Sequence, residues 1–195
     1  MRLIGLTGGI GMGKSTAAAL FRRAHLPVFD ADRVVRNLQA EGGAAVPLIA
    51  AAFPGTVHDG RIDRARLRAA VIGKPAALAR LEAIIHPLVR AAERRFIARA
   101  QRQGAPAVIL DIPLLFETGG HRRLDSVIVV SAPAAVQRAR VRARRQMNDA
   151  EITAIIARQM PDAQKRRRAD LVVRTGLSRH HAWRQVRRFI LRTLR

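Results

Sequence analysis

Gly8-Gly9-Ile10-Gly11-Met12-Gly13-Lys14-Ser15 satisfies G-x-x-x-x-G-K-[ST], the spacing of a loop that binds phosphate through its own backbone. Glycines accept positive φ and let successive N–H groups turn inward. Gly9, Gly11, Met12 and Gly13 are therefore expected to line a phosphate-binding concavity at the positive end of the helix that follows. Lys14 is expected to reach the β- and γ-phosphates of ATP, and Ser15 to ligate Mg²⁺, with Thr16 next in the ATP-binding run. Lysine is scarce in this arginine-rich chain, occurring only at 14, 74 and 165, so one at the motif position argues against a chance match.

The loop needs a strand before it and a helix after it. Leu3-Ile4-Gly5-Leu6 reads as a buried strand, and Thr16 to Phe21 as the start of a helix. Further strands are predicted at Pro27-Val28-Phe29, Val108 to Asp111, Ser126 to Val130 and Leu171 to Val173. Helices alternate with them, which predicts an α/β, three-layer sandwich around a parallel five-stranded sheet. The chain reads as a single domain over 1–195, with a nearly all-helical insert over 41–103 that contains no strand, and a basic lid over 138–168. Within the insert, Pro54-Gly55 and His58-Asp59-Gly60-Arg61 are turns, and His86-Pro87 divides a helix from Pro75 to Ile85 from a longer one over Leu88 to Gln103. Asn148 with Glu151 forms a capping-box start, and Ser178 opens a C-terminal helix carrying Trp183, Val186, Phe189, Ile190 and Leu194 at helical spacing.

Composition narrows the class. The 195 residues suffice for one α/β domain, and 49% are hydrophobic, as in a globular protein. Cysteine is absent, which excludes disulfides and thiolate metal sites. The phosphate loop begins too early to leave room for a signal peptide, and no apolar run reaches the ~20 residues of a membrane span. The expectation is a cytoplasmic protein. The net charge of +22 is nearly all arginine spread along the chain, dense only at 138–145 and 165–168. With 4% aromatics and no tyrosine, a stacking platform for single-stranded nucleic acid is not expected.

Carboxylates fall at two strand ends. Asp30-Ala31-Asp32 follows the second strand, where one Asp could cap the next helix and the other orient or deprotonate an attacking hydroxyl. Asp111 ends the third strand, where a Walker-B-like carboxylate would approach Mg²⁺, directly or through water.

Taken together these residues resemble the dephospho-coenzyme A kinase family. Leu6 to Ser15 is similar to its LTGGIGxGKS opening, and Asp30-Ala31-Asp32 to its Asp-Ala-Asp. Asp59-Gly60, Asp63-Arg64, Leu67-Arg68, His86-Pro87-Leu88-Val89-Arg90, Pro113 to Glu117 and Ala169-Asp170 follow in the family's order. The resemblance implies ATP-dependent phosphorylation of the ribose 3′-hydroxyl of dephospho-CoA, the last step of coenzyme A synthesis. It implies Asp32 as the base and Lys14 as the second catalytic group. Arg140 and Arg144, one turn apart, are implied as lid arginines near ATP. Arg68, His86, Arg90, Leu114, Leu115 and Glu117, with Asp32, are implied on the dephospho-CoA side. The implied partners are ATP and dephospho-CoA, with no specific nucleic acid, no membrane, and a monomer or weak homo-oligomer.

Three positions depart from the family pattern. Met12 stands where serine is usual, and Ile72 where phenylalanine is frequent. Arg174-Thr175-Gly176 replaces a common Asn-x-Gly, so an adenine contact from that loop is not carried over. Two other classes share part of the pattern: a P-loop kinase for nucleosides or nucleotides, and a nucleic-acid-stimulated ATPase whose footprint would be the positive charge.

Overall fold

A computed structural model of the chain describes residues 1–145 and 148–194, with the side chains of residues 144 and 145 left aside. Two compact units emerge, one of Met1–Phe29 with Ala100–Arg195, the other of Asp30–Arg99.

The first unit holds the sheet. Strands β1 (Arg2–Thr7), β2 (Val28–Asp30), β5 (Ala107–Asp111), β6 (Ser126–Ser131) and β7 (Leu171–Arg174) lie in the order β2-β5-β1-β6-β7. β1 pairs in parallel with β5 and β6, and β6 in parallel with β7. At the β2 side, the Ile109 N–H donates to the Pro27 carbonyl at 2.9 Å. This is the five-stranded sheet expected from the sequence.

Two aspartates set the register where the strands begin. Asp125 accepts the Leu3 N–H at 2.7 Å, and its own N–H donates to the Leu3 carbonyl at 2.9 Å. Asp170 does the same to Val127, at 2.7 and 2.9 Å. Each side chain thus extends the ladder by one bond beyond the strand.

Both faces of the sheet are covered, because successive side chains of a strand point to opposite sides. Ile128 and Val130 join Ile4, Leu6, Ile109 and Val173 in a cluster with Ala17, Ala18 and Phe21 of α1 (Lys14–Arg23) and Ala182 and Val186 of α9 (Arg179–Thr193). Val127 and Val129 pack the other way, against Leu115, Phe116, Leu124 and Met160. The C-terminal helix is therefore a core element: the Ser178 hydroxyl caps it by accepting the His181 N–H, and Trp183, Phe189, Ile190 and Leu194 pack on the first cluster.

Between β6 and β7 run α6 (Ala134–Arg145), α7 (Asp149–Ala157) and the short α8 (Asp162–Arg167). Asn148 and Glu151 form the expected capping box on α7. α8 was not expected from the sequence; six residues of mixed polarity carry no readable period.

The second unit has its own core, Ala45, Ile49, Phe53, Leu67 and Ile85, with half-buried Val35, Leu38, Leu81, Ile84, Leu88 and Val89 against it. It contains α2 (Ala31–Leu38), α3 (Val46–Ala52), α4 (Arg64–Val71) and most of α5 (Pro75–Arg102). Two expectations are corrected. The stretch expected to lack strands contains a two-residue hairpin, β3 (Val57–His58) and β4 (Arg61–Ile62), turning on Asp59 and Gly60 at φ 49° and 72°. Positive φ at both central residues is the tight hairpin turn that Asp-Gly favours, and Val57 opposite Ile62 packs its apolar pair on the core. In addition, α5 is one helix through His86-Pro87. Pro87 cannot donate to the Ala83 carbonyl. Both residues are exposed, so water can serve that carbonyl, while Ile84, Ile85, Leu88 and Val89 hold the helix to the core on either side.

One ion pair ties the segment after β5 to α8. Lys165, 1% exposed, places its ammonium 2.8 Å from Glu117 Oε1, close enough for an ion pair though not angled as a hydrogen bond. The same oxygen accepts the Met160 N–H at 3.0 Å. Partial burial by itself would raise the Glu117 carboxyl, but the Lys165 ammonium and the backbone N–H groups of Met160 and Glu117 outweigh it and hold the group below its ordinary 4.5. A carboxyl depressed by folding stabilises the fold fully above pH 4.5, and that contribution fades as pH falls through the lowered folded value. Glu117→Gln should therefore be less stable than the wild type to urea at pH 7, with the gap narrowing as pH is lowered through 4 toward about 3. A gap that stays constant over that range would mean the ionised carboxylate is not what stabilises this contact.

Candidate active site

The phosphate loop joins β1 to α1 and is shaped by two left-handed glycines. Gly11 has φ 74°, and Gly13, the N-cap of α1, has φ 90°. Space forbids a side chain at either: a Cβ on Gly11 would stand 2.7 Å from Val141 Cγ2, and one on Gly13 2.8 Å from Thr175 Oγ1. Gly13 supplies no side-chain cap, so the first turn of α1 is served from the loop, with the Thr16 and Ala17 N–H groups both donating to the Gly13 carbonyl. A helix that starts without a capping side chain leaves its positive end open to an anion.

Lys14 and Asp111 meet. Lys14 Nζ lies 2.5 Å from Asp111 Oδ1, the carboxylate only 5% exposed at the end of β5. This is an ion pair with directional donation, and it fixes the lysine stem over the loop. An ammonium has three N–H donors, so the pair leaves Lys14 donors for phosphate oxygens. Ser15 follows with an exposed side chain in the first turn of α1, and Thr16 is half-buried. Among the described residues no cluster of three or more His, Asp or Glu could hold a metal alone. The oxygen donors flanking Lys14, the Ser15 hydroxyl and the Asp111 carboxylate, are hard ligands few in number. That donor set suits a Mg²⁺ that takes most of its ligands from nucleotide phosphates and water.

The outer side of the loop is fastened by side chains from far along the chain. Gln137 of α6 donates to the Ile10 carbonyl at 2.8 Å, and Gln159, just past α7, accepts the Ile10 N–H at 3.0 Å. Met12 is buried, and its sulfur accepts the Ala132 N–H at 3.1 Å. The Thr175 hydroxyl donates to the Met12 carbonyl at 2.5 Å. Arg140 donates to the Thr175 hydroxyl at 3.0 Å and to the Thr175 carbonyl at 2.7 Å, and reaches the Gly11 carbonyl at 3.5 Å. Gly13, Thr16, Arg140, Thr175, Leu177 and Ser178 border a cavity of about 260 Å³ beside the loop. Sequence reading found Arg140 but not Gln137, Gln159 or Thr175 as neighbours of the loop; glutamines and threonines 120 or more residues away in sequence carry no local signal. Arg144, expected beside Arg140, has its side chain outside the described residues.

Asp30 and Asp32 divide their roles. Asp30 is the N-cap of α2, its Oδ1 accepting the Arg33 N–H at 2.8 Å. Asp32 is exposed in the first turn of α2 and, among the described residues, makes no hydrogen bond or ion pair. In the same unit Arg68 lies in the last turn of α4, and His86 and Arg90, four apart on α5, share one exposed face. No hydrogen bond or ion pair among the described residues joins Asp32, Arg68, His86 and Arg90.

The segment Pro113 to Glu117 is split. Leu114 is 43% exposed, whereas Leu115 is fully buried in the core, and Glu117 is engaged with Lys165 and Met160. Leu115 acts on its surroundings through packing, and Leu114 is the leucine open to solvent.

Comparison with known proteins identifies the family. The model of the dephospho-CoA kinase family matches residues 2–179. A dephospho-CoA kinase of Gluconobacter oxydans is 56% identical over 190 residues, covering 95% of this chain and 94% of the relative. One of Paramagnetospirillum magneticum is 60% identical over 166 residues, 85% of this chain and 78% of the relative. The crystal structure of the protein TT1252 from Thermus thermophilus superimposes with a TM-score of 0.86 at 36% identity, covering 100% of this chain and 98% of that one. With the family model matched over residues 2–179 and relatives more than half identical over most of its length, this chain belongs to the dephospho-CoA kinase family.

Proposed function

We propose that this chain transfers the γ-phosphoryl group of ATP to the ribose 3′-hydroxyl of dephospho-CoA, giving coenzyme A and ADP. The match to the dephospho-CoA kinase family over 178 of the 195 residues carries this reading. ATP enters with its phosphates in the Gly9–Ser15 loop, where inward N–H groups and the open end of α1 hold negative charge. Lys14 follows the β- and γ-phosphates with the donors it does not give to Asp111. Ser15, with Asp111 directly or through water, would hold a Mg²⁺ ion, which would supply neutralising charge to the phosphate oxygens. Arg140, already against the loop, supplies further positive charge on the nucleotide side, with Arg144 as its partner.

Asp32 is the base. Asp30 is committed to capping α2, and Asp32 is the carboxylate of the pair with no such duty. It accepts or orients the proton of the 3′-hydroxyl as the oxygen attacks in line. Arg68, His86 and Arg90 are the cationic and hydrogen-bonding groups for the phosphates of dephospho-CoA, with Leu114 and Glu117 on the same substrate side. The 138–168 region acts as the lid and the 41–103 stretch as the CoA-side subdomain; closure keeps water from the γ-phosphate. No described helix is long and apolar enough to cross a membrane. A cytoplasmic setting, where ATP is supplied, goes with this reading. ATP and dephospho-CoA are the partners required; a nucleic acid has no part, and a monomer or weak homo-oligomer suffices.

Incubation with MgATP and dephospho-CoA beside adenosine, AMP and cytidine, read by mass spectrometry, tests the substrate. One phosphoryl gained by dephospho-CoA alone is the expected result, and transfer only to another acceptor would discard it. Asp32→Asn should lower kcat by about 10²-fold or more while leaving the ATP dissociation constant within about threefold. Near-normal turnover in that variant would remove Asp32 from the chemistry. Lys14→Ala should both weaken ATP binding and reduce kcat by about 10²-fold or more; an unchanged rate would rule out the phosphate-loop mechanism.

A further inference from the structure

We propose that the Thr175 hydroxyl is a positioning group for nucleotide binding: it turns the Met12–Gly13 peptide so that the Gly13 N–H faces into the phosphate loop, and it holds Arg140 at the same point. The inference rests on the reading of the loop as the ATP site.

Thr175 lies just after β7, 163 residues from Met12, and is 6% exposed. A hydroxyl has one proton to give. Here it goes to the Met12 carbonyl at 2.5 Å, and a lone pair of the same oxygen accepts Arg140 Nη1 at 3.0 Å. The chain of donation runs guanidinium to hydroxyl to carbonyl, each bond polarising the next. Arg140 is secured a second time through Nη2 on the Thr175 carbonyl at 2.7 Å.

The consequence for the loop follows from peptide geometry. No peptide in the described chain is cis. In a trans peptide the C=O and the following N–H point in opposite directions. Holding the Met12 carbonyl outward against Thr175 therefore directs the Gly13 N–H inward. The neighbouring turn is closed by the Met12 N–H on the Gly9 carbonyl at 3.1 Å, and the Met12 sulfur is pinned by the Ala132 N–H, so the Met12 side of this peptide is held twice. The same oxygen fills the space where a Cβ on Gly13 would stand, at 2.8 Å. Thr175 thus both requires glycine at 13 and uses the freedom that glycine gives.

The variants Thr175→Val and Thr175→Ser separate the hydroxyl from the methyl. ATP affinity is measured by calorimetry on the full chain without acceptor, beside steady-state kinetics with both substrates. Thr175→Val should bind ATP about tenfold more weakly, with the KM for dephospho-CoA within about twofold of wild type, since it leaves a buried carbonyl and a guanidinium N–H short of a partner. Thr175→Ser should return to within about twofold of wild-type affinity. Wild-type affinity in the valine variant would overturn the proposal. Equal loss in the valine and serine variants would also overturn it, because the methyl would then be what matters. If the valine variant does not fold, Thr175→Ala against Thr175→Ser isolates the hydroxyl: weaker binding by the alanine variant is expected, and equal binding refutes the proposal. A wild-type protein that binds ATP but leaves dephospho-CoA unchanged would defeat the kinase reading alone, leaving the affinity series to decide on Thr175.

Discussion

A phosphate site made of backbone N–H groups has a cost built into it: every peptide that turns its N–H inward turns the preceding carbonyl outward, and those carbonyls need partners of their own. In this protein the partners come from other elements. Gln137 serves Ile10, Thr175 serves Met12, and Arg140 reaches Gly11. The loop keeps its shape because α6 and the end of β7 stand behind it. The sheet order β1-β6-β7 is what brings them there.

The rest of the first unit serves the same end. Asp125 and Asp170 fix the register of β1 and β6 at their starts, and therefore fix where their other ends deliver the loop and the Ser131-Ala132 corner. Ala132 then offers its N–H to the Met12 sulfur. A methionine at the variable position of the loop becomes an anchor, its apolar stem buried and its soft acceptor used. Lys14 is steadied from the opposite side by Asp111, at the end of the neighbouring strand β5. Ligand sites at the carboxyl ends of parallel strands arise for this reason: loops from adjacent strands converge there. The Glu117–Lys165 pair joins the segment beyond β5 to α8 at the cost of burying an ammonium, which the carboxylate and its backbone donors offset.

Much of this could be read from the chain because the signals are local. The loop spacing, the buried strands and the caps at Asn148 and Ser178 each depend on residues within a few positions of one another. The two local misreadings have physical causes. Strands of two residues are too short to show alternation, so the hairpin at Val57–Ile62 registered only as its Asp-Gly turn. His86-Pro87 looked like a break because proline usually is one. An exposed carbonyl and apolar neighbours packed on both sides let α5 continue.

The sequence by itself determined the chemistry on offer: a phosphate loop with its lysine, carboxylates at two strand ends, and the order of motifs that marks the dephospho-CoA kinase family. Those properties are local in the chain or follow from its linear order. Only the tertiary structure decided which groups are shared among which sites. It gave Asp111 to Lys14, Asp30 to a helix cap, Glu117 to Lys165, Leu115 to the core and Thr175 to the Met12 carbonyl. Most of these pairings join residues tens of positions or more apart. A hydrogen bond depends on distances of about 3 Å in space and is indifferent to separation along the chain.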